Sequence, residues 1–301
     1  MWDITWELHQ GGAAAILPKI KASWPNTPYD IVDAWSPVFL AMDTEGWAET
    51  VTLADVPNLA DVPEALITKD KDGNFKNVPR SINGVFFSYR PDICPIEIKT
   101  VEDLLDPRLE GQISWPSPIM NTSLQVVALA LARGGDEYNI DPGWEFLQEI
   151  AKSGNIGRVY ITTTDNINSL TTGETCVTFT DQGTISSAAA NVPIEYLTKT
   201  DESLKSFIAV EGWAVLGSSK NKKAAFDFAN YMVSPEAATA FNAEIGVPPA
   251  SSKATAVEGV GHLVFSDEEL AKYAHFVDYP YVSSMIDPWV KRFETEIQPH
   301  L

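Results

Sequence analysis

The chain has 301 residues, 45% hydrophobic and 10% aromatic, with 21 Lys and Arg set against 41 Asp and Glu for a formal charge of −20. That length exceeds the ~100–200 residues usual for one domain, so two separate cores are expected. The scattered acidic residues read as a self-repelling surface and exclude a nucleic-acid partner, and the absence of any run of 18 apolar residues leaves no candidate for direct membrane insertion.

"WDITWELHQ" alternates apolar and polar residues and predicts an edge or half-buried strand; "GAAAILPKIKAS" (12–23) predicts a helix bent at Pro18. "YDIVDAW" predicts a buried strand, and "SPVFLAMDTEG" a helix with Ser36 as N-cap and Pro37 at its first position. The order strand, helix, strand, helix is that of parallel α/β proteins. Residues 51–80 are rich in loop formers. Asp70, Asp72, Gly73 and Asn74 have a calcium-loop look, but the glycine stands at position four instead of six and Ser81 replaces the glutamate at twelve, so a hairpin turn is predicted. "RSINGVFFSYR" is a long aromatic strand ending at Pro91, a natural exit from a first lobe.

A second α/β series follows. "TVEDLLDPRLEG" predicts a capped helix, "QISWPS" a strand, "TSLQVVALALARGG" an apolar helix closed by glycines, and "DPGWEFLQEIAKSG" an amphipathic helix. "YITTTDNINSLTTGETCVTFTDQG" then gives a helix stopped at Gly173 and a strand ending on Asp181, Gln182 and Gly183. "SFIAVEGWAVLGSS" is another long β-rich run, a path back to the first lobe. "NKKAAFDFANYMVSPEAATAFNAEIG" predicts two helices, the second opened by Ser234, Pro235 and Glu236 and closed by Gly246; "SDEELAKYAHFV" and "PWVKRFETEI" predict two more.

No catalytic signature is present: no Gly-x-Ser-x-Gly elbow, no phosphate-binding glycine loop, no His-Glu-x-x-His. His9, His262, His275 and His300 show no paired metal spacing, and His300 is expected to be disordered at the end of the chain. The chain is therefore read as no enzyme, with neither metal site nor cofactor. Cys94 and Cys176 form no metal or redox pair; a disulfide between them suits an oxidising compartment, while so few cysteines read first as buried free thiols.

A lobe interrupted by a second lobe, with two long strands crossing between them, resembles the periplasmic solute-binding proteins of ABC transporters, in the group related to the polyamine- and iron-binding receptors. The segments "GGAAAILPKIKASWPNTPYDIVDAW", "TVEDLLDPRLEGQISWPSP", "NSLTTGETCVTFTDQG" and "NKKAAFDFANYMVSPEAATAFNAEIGVPPASS" carry the resemblance, the last most specifically, and it covers nearly the whole chain. It implies a type II two-lobe α/β fold with lobe I at 1–90 plus 207–250 and lobe II at 91–206 plus 251–301. It implies hinge closure on a small solute and delivery to the membrane subunits of an ABC importer. The family's members begin with a signal peptide and one strand–helix unit before the segment matched by "WDITWELHQGG". Here that first βα unit is missing from the sequence, so either the native protein starts upstream or the first lobe is short of it. The periplasmic location is thus implied by resemblance alone.

Ligands of open α/β lobes sit at the carboxyl ends of strands, beside helix N-termini. With the family likeness, this nominates Trp35 and Ser36; Ser81, Asn83 and Phe86 on the first crossing strand; Trp115, Ser117, Asn121 and Thr122; Asp165 and Asn166; Asp181, Gln182 and Gly183; and Glu211 with Trp213 on the returning strand. Packing is the commoner use of the three tryptophans, and helix capping that of Asp165 and Ser117. Asp181 leads the set, since a carboxylate closing an apolar strand needs a cation or N–H donors. The aromatic and acidic candidates suit an ammonium or quaternary amine, Ser117, Asn121 and Thr122 equally suit a carboxylate or phosphate, and a small amine-containing solute such as a polyamine or amino acid derivative uses both. No adjacent tyrosine pair like that of ferric-binding members occurs, Tyr279 and Tyr281 lying in the tail. The same fold serves as a regulator's sensing domain and as a tetrapyrrole deaminase; there is no DNA-binding basic segment for the first, and Cys176 lacks the arginines of the second.

Overall fold

The computed structural model describes residues 3–7 and 16–301, which divide into two compact units: the chain through Asn83 with Ala209–Asp267, and Gly84–Ile208 with Glu268–Leu301. Residues 3–7 carry no regular structure, which corrects the expected first strand; its residues 2 and 8–10, with His9, and residues 12–15 of the expected first helix lie outside the described residues.

In the first unit, β1 (Ile31–Trp35) pairs antiparallel with β7 (Ser206–Val215), from Ile31 opposite Val215 to Trp35 opposite Glu211. On its other side β7 neighbours β2 (Val78–Tyr89). The approach is so close that a Cβ on Gly212 would lie 2.2 Å from the Val78 carbonyl oxygen, so only glycine fits. Helices α1 (Ile16–Ser23) and α2 (Ser36–Thr44) cover β1, burying Ile16, Ile20, Val38, Phe39 and Met42 against Val32, Ala34, Ala214 and Leu216. The N-cap of α2 is Trp35 and not Ser36, whose hydroxyl instead accepts from the Val210 N–H at 3.0 Å and so ties α2 to β7. Residues 69–75 form the expected hairpin turn: Asp70 accepts the N–H groups of Asp72 and Asn74, so its oxygens serve the turn itself. Helices α7 (Lys222–Met232) and α8 (Pro235–Ile245) follow, with Ser234 accepting from the Ala237 N–H and Gly246 closing α8 at φ 69°.

Residues 251–267 belong to this unit, although the return to lobe II was expected at 251. The Ser252 N–H donates to the Asp61 carbonyl at 2.7 Å, Lys253 pairs with the Asp61 carboxylate at 2.8 Å, and the Thr255 N–H donates to the Thr239 hydroxyl.

The second unit is built on β3 (Ile113–Pro116), parallel to both β4 (Ile156–Tyr160) and β5 (Val177–Asp181), with β5 antiparallel to the latter half of β2. Helices α3 (Leu124–Ala132), α4 (Asp141–Lys152), α5 (Thr163–Thr172) and α6 (Gln182–Ala189) pack about these strands. The short strands β6 (Glu195–Tyr196) and β8 (Ala274–His275) pair with β2 and β7. The C-terminal region adds α9 (Asp267–Tyr273), α10 (Tyr279–Ser284) and α11 (Ile286–Glu296). The helix expected over 100–111 is two 3-10 turns, 101–105 and 107–109, because Pro107 lacks the N–H that would continue the first. His300, expected to be disordered, lies in a 3-10 turn, Gln298–His300. Cys94 and Cys176 are joined in a disulfide with their Cα atoms 5.3 Å apart, which corrects the reading of free thiols.

Candidate functional site

In the first unit the polar candidates gather around a residue that sequence reasoning passed over, Arg80. Its guanidinium reaches Asp33 Oδ1 at 3.1 Å and Glu211 Oε2 at 3.2 Å, and lies over the rings of Trp213 and Phe241 at 5.7 and 5.1 Å. The strand period explains the grouping: Asp33 and Trp35 share one face of β1, opposite Trp213 and Glu211 of β7. Asn83 Nδ2 donates to Glu211 Oε1 at 3.3 Å, and the Arg80 guanidinium donates to the Ser81 hydroxyl, which donates in turn to Asn242 on α8 at 2.6 Å. Two carboxylates thus share one guanidinium. Desolvation holds the Asp33 carboxyl above the usual carboxylate range; Arg80 pulls it back down and Glu211 pushes it up again. About a third of the Asp33 side chain stays open to solvent.

In the second unit the candidates collect at the carboxyl ends of β3, β4 and β5. The Ser117 N–H donates to the Tyr160 carbonyl at 3.0 Å, continuing the pairing of β3 with β4 past the last strand residue. The chain then turns through Asn121, Thr122 and Ser123, consecutive non-glycine residues at φ 52°, 55° and 59°. Left-handed backbone is costly for a β-branched threonine, so neighbouring contacts must impose it. One is visible: Asn121 Nδ2 donates to the Tyr160 hydroxyl at 3.1 Å, which donates to the Phe179 carbonyl at 2.7 Å. Burial pushes that hydroxyl well above the ordinary tyrosine range, so it stays a donor. Asp181 caps α6, accepting from the Thr184 N–H at 3.0 Å and the Thr184 hydroxyl at 2.6 Å. Those are the donors that a carboxylate at the end of an apolar strand needs.

The nominated residues fall into three states. Trp35, Ser36, Asn83, Glu211, Ser117, Asn121, Thr122, Asp165 and Asp181 are half-buried, and Gly183 is exposed. Ser81, Phe86, Trp115, Asn166, Gln182 and Trp213 are buried, Trp115 against Phe87 and Trp213 against Phe228. Asp165 is the third residue of α5, capped by Thr162, and is paired with Arg158. Asn166 accepts from the Ser114 and Thr178 hydroxyls beneath the strand ends. Asp33, Arg80 and Tyr160 were missed. A charged residue inside an apolar strand, as in "IVDAW", is the signal that could have found the first. A groove of about 640 Å³ in the first unit, lined by Leu59, Phe75 and Phe265 among others, holds none of the nominated residues. Among the described residues no helix is long and apolar enough to cross a membrane, and no cluster of His, Cys, Asp and Glu could hold a metal ion.

Comparison with known proteins bears on this arrangement. The family model of bacterial extracellular solute-binding proteins matches residues 2–276. An ABC transporter structure from Clostridium perfringens superposes with a TM-score of 0.76 at 21% identity, covering 95% of this chain and 89% of that one. A spermidine/putrescine ABC transporter substrate-binding protein from Streptococcus pneumoniae gives 0.75 at 17% identity, with 93% and 88% covered. Ferric iron-binding protein A of Mannheimia haemolytica gives 0.68 at 13% identity, with 95% and 87% covered. At these identities the likeness establishes the fold. A search of the curated proteins finds no match.

Proposed function

The chain belongs to the family of bacterial extracellular solute-binding proteins, and from that premise we propose that it is a periplasmic receptor delivering a small amine-containing solute to an ABC importer. The observation that carries the amine is the guanidinium shared by Asp33 and Glu211. One positive charge faces two carboxylates, one of them held in an unfavourable environment, so a second cation there relieves a deficit where an anion adds to it. The neighbours named for spermidine/putrescine and for ferric iron bracket these choices. The Asp33, Arg80 and Glu211 cluster speaks for the former.

No chemistry is performed in this reading. Solute bound to both units favours their closed arrangement, and the importer's membrane subunits read that arrangement. Native mass spectrometry of the purified protein, followed by identification of any retained small molecule, is the direct test. A retained amine supports the proposal, whereas a retained phosphate or carboxylate without a basic group refutes the ligand class. Saturating solute at 100 times its dissociation constant should stabilise the protein by about 2.7 kcal/mol. A broad metabolite panel with no such shift, from protein shown to carry nothing, refutes the receptor.

A further inference from the structure

Two side chains at the strand ends of the second unit have no place in the polar account. Ile119 and Ile161 are each 70% exposed, the most exposed of the large hydrophobic side chains among the described residues. Ile161 directly follows Tyr160, the last residue of β4, and Ile119 lies two residues beyond Ser117, whose N–H bonds the Tyr160 carbonyl. Both therefore stand at the carboxyl ends of neighbouring parallel strands, beside the turn that Tyr160 anchors through Asn121. Their segments are uncharged: in a chain of formal charge −20, residues 113–132 and 159–164 contain no Asp, Glu, Lys or Arg. An exposed branched side chain on its own is ordinary. Two at the ends of adjacent strands, in a neutral stretch where open α/β sheets hold their ligands, are side chains suited to an apolar group.

We propose that Ile119 and Ile161 seat an apolar group of the solute, so that the receptor takes an ammonium compound carrying a branched aliphatic or aromatic group. The inference rests on the receptor reading above and narrows it. A linear polyamine carries ammonium groups at both ends and would desolvate one of them against isoleucine, whereas a bare metal ion would leave both side chains uncovered. Covering one branched side chain is worth roughly a tenfold change in affinity.

The test compares 3-methylbutylamine with 1,4-diaminobutane, probes of similar length that share one ammonium end and differ in whether the other is branched and apolar or charged. Isothermal titration of the wild type should give at least about tenfold tighter binding of 3-methylbutylamine. The double substitution Ile119→Ser and Ile161→Ser should bring the ratio of the two affinities close to one, with the melting temperature unchanged because both side chains are already exposed. The proposal is overturned by a diamine that binds as tightly as the branched amine, by a ratio that survives the double substitution, or by binding of neither probe. The receptor reading stands through all three results provided native mass spectrometry finds a retained solute, so the two failures are told apart.

Discussion

Breaking the Cys94–Cys176 bond is the perturbation whose size follows most directly from the structure. The two residues are 82 apart in sequence and both belong to the second unit, where Cys176 is fully buried at the start of β5 and Cys94 is half-buried. Backbone bonds hold them in place from both sides: the Arg90 N–H donates to the Cys176 carbonyl and the Cys94 N–H to the Arg90 carbonyl, at 2.8 and 3.0 Å. The native loop therefore keeps its shape without the covalent link, and the loss falls on the unfolded chain, which gains freedom. For a closed loop of that length the chain-entropy treatment gives about 4.5 kcal/mol at 25 °C. Cys94→Ser is the cleaner variant, since it leaves the buried residue in place. In a unit of about 160 residues a loss of that size lowers the melting temperature by roughly 9–18 °C. Calorimetry of the oxidised wild type, the reduced wild type and Cys94→Ser should show the last two melting together, well below the first. Coincident melting of all three, or two alkylatable thiols in protein from an oxidising compartment, would refute the reasoning.

Gly212→Ala places a methyl group 2.2 Å from the Val78 carbonyl oxygen and 2.9 Å from the Pro79 Cα, both main-chain atoms that cannot rotate away; chemical denaturation should show a loss of about 2 kcal/mol or more. Asn tolerates the left-handed region that Thr122 occupies at φ 55°, so Thr122→Asn should stabilise the protein by about 1 kcal/mol in the same assay. Hydrogen bonds from the Asn74 side chain and N–H lead the causes that hold the Asp70 carboxyl at about 2. Its contribution to stability is therefore full above the unfolded carboxylate value near 4 and fades as pH falls through about 2. A carbon-13 titration of Asp70 should turn near 2, and a midpoint near 4 would mean that the turn is not closed on that side chain.

Much of the fold was legible because its signals are local. "SPEAATAFNAEIG" carries a capping serine, a proline at the first turn and a glycine that takes φ 69°, and α8 has those ends. Likewise Gly173 stops α5 at φ 78°. What failed depended on partners far away in sequence. Ser36 looks like an N-cap by local pattern, but β7 lies within reach of its hydroxyl and competes successfully. The disulfide needed two positions 82 residues apart to come within 5.3 Å, which no spacing rule reports. Helix α6 was hidden because "DQG" reads as a strand end; the Asp181 side chain turns the chain into a helix there. Candidate residues were found by the same logic and with the same limit. Strand ends could be read from the periodicity, but the pairing of Arg80 with Asp33 and Glu211 needs three strands side by side.

The polarity of the two units' candidate groups constrains the solute more tightly than either set does alone. In the first unit the shared guanidinium leaves one carboxylate charge unbalanced, and replacing Asp33 with Asn would remove it while keeping a hydrogen-bonding group beside Arg80. In the second, the strand ends carry an uncharged turn and two exposed isoleucines, and Asp165 and Asp181 already have partners in Arg158 and Thr184. Taken each by itself, the first set suits a positive charge and the second an apolar or neutral group, whereas a second positive charge suits only the first. Asp33→Asn should therefore weaken 3-methylbutylamine and 1,4-diaminobutane alike, by about tenfold for the loss of one charge-assisted contact, whereas the isoleucine substitutions weaken only the branched amine. If Asp33→Asn instead left both affinities untouched, the cation would have to sit elsewhere, and the assignment of the ammonium end to the first unit would fail while the apolar seat on the second could still hold.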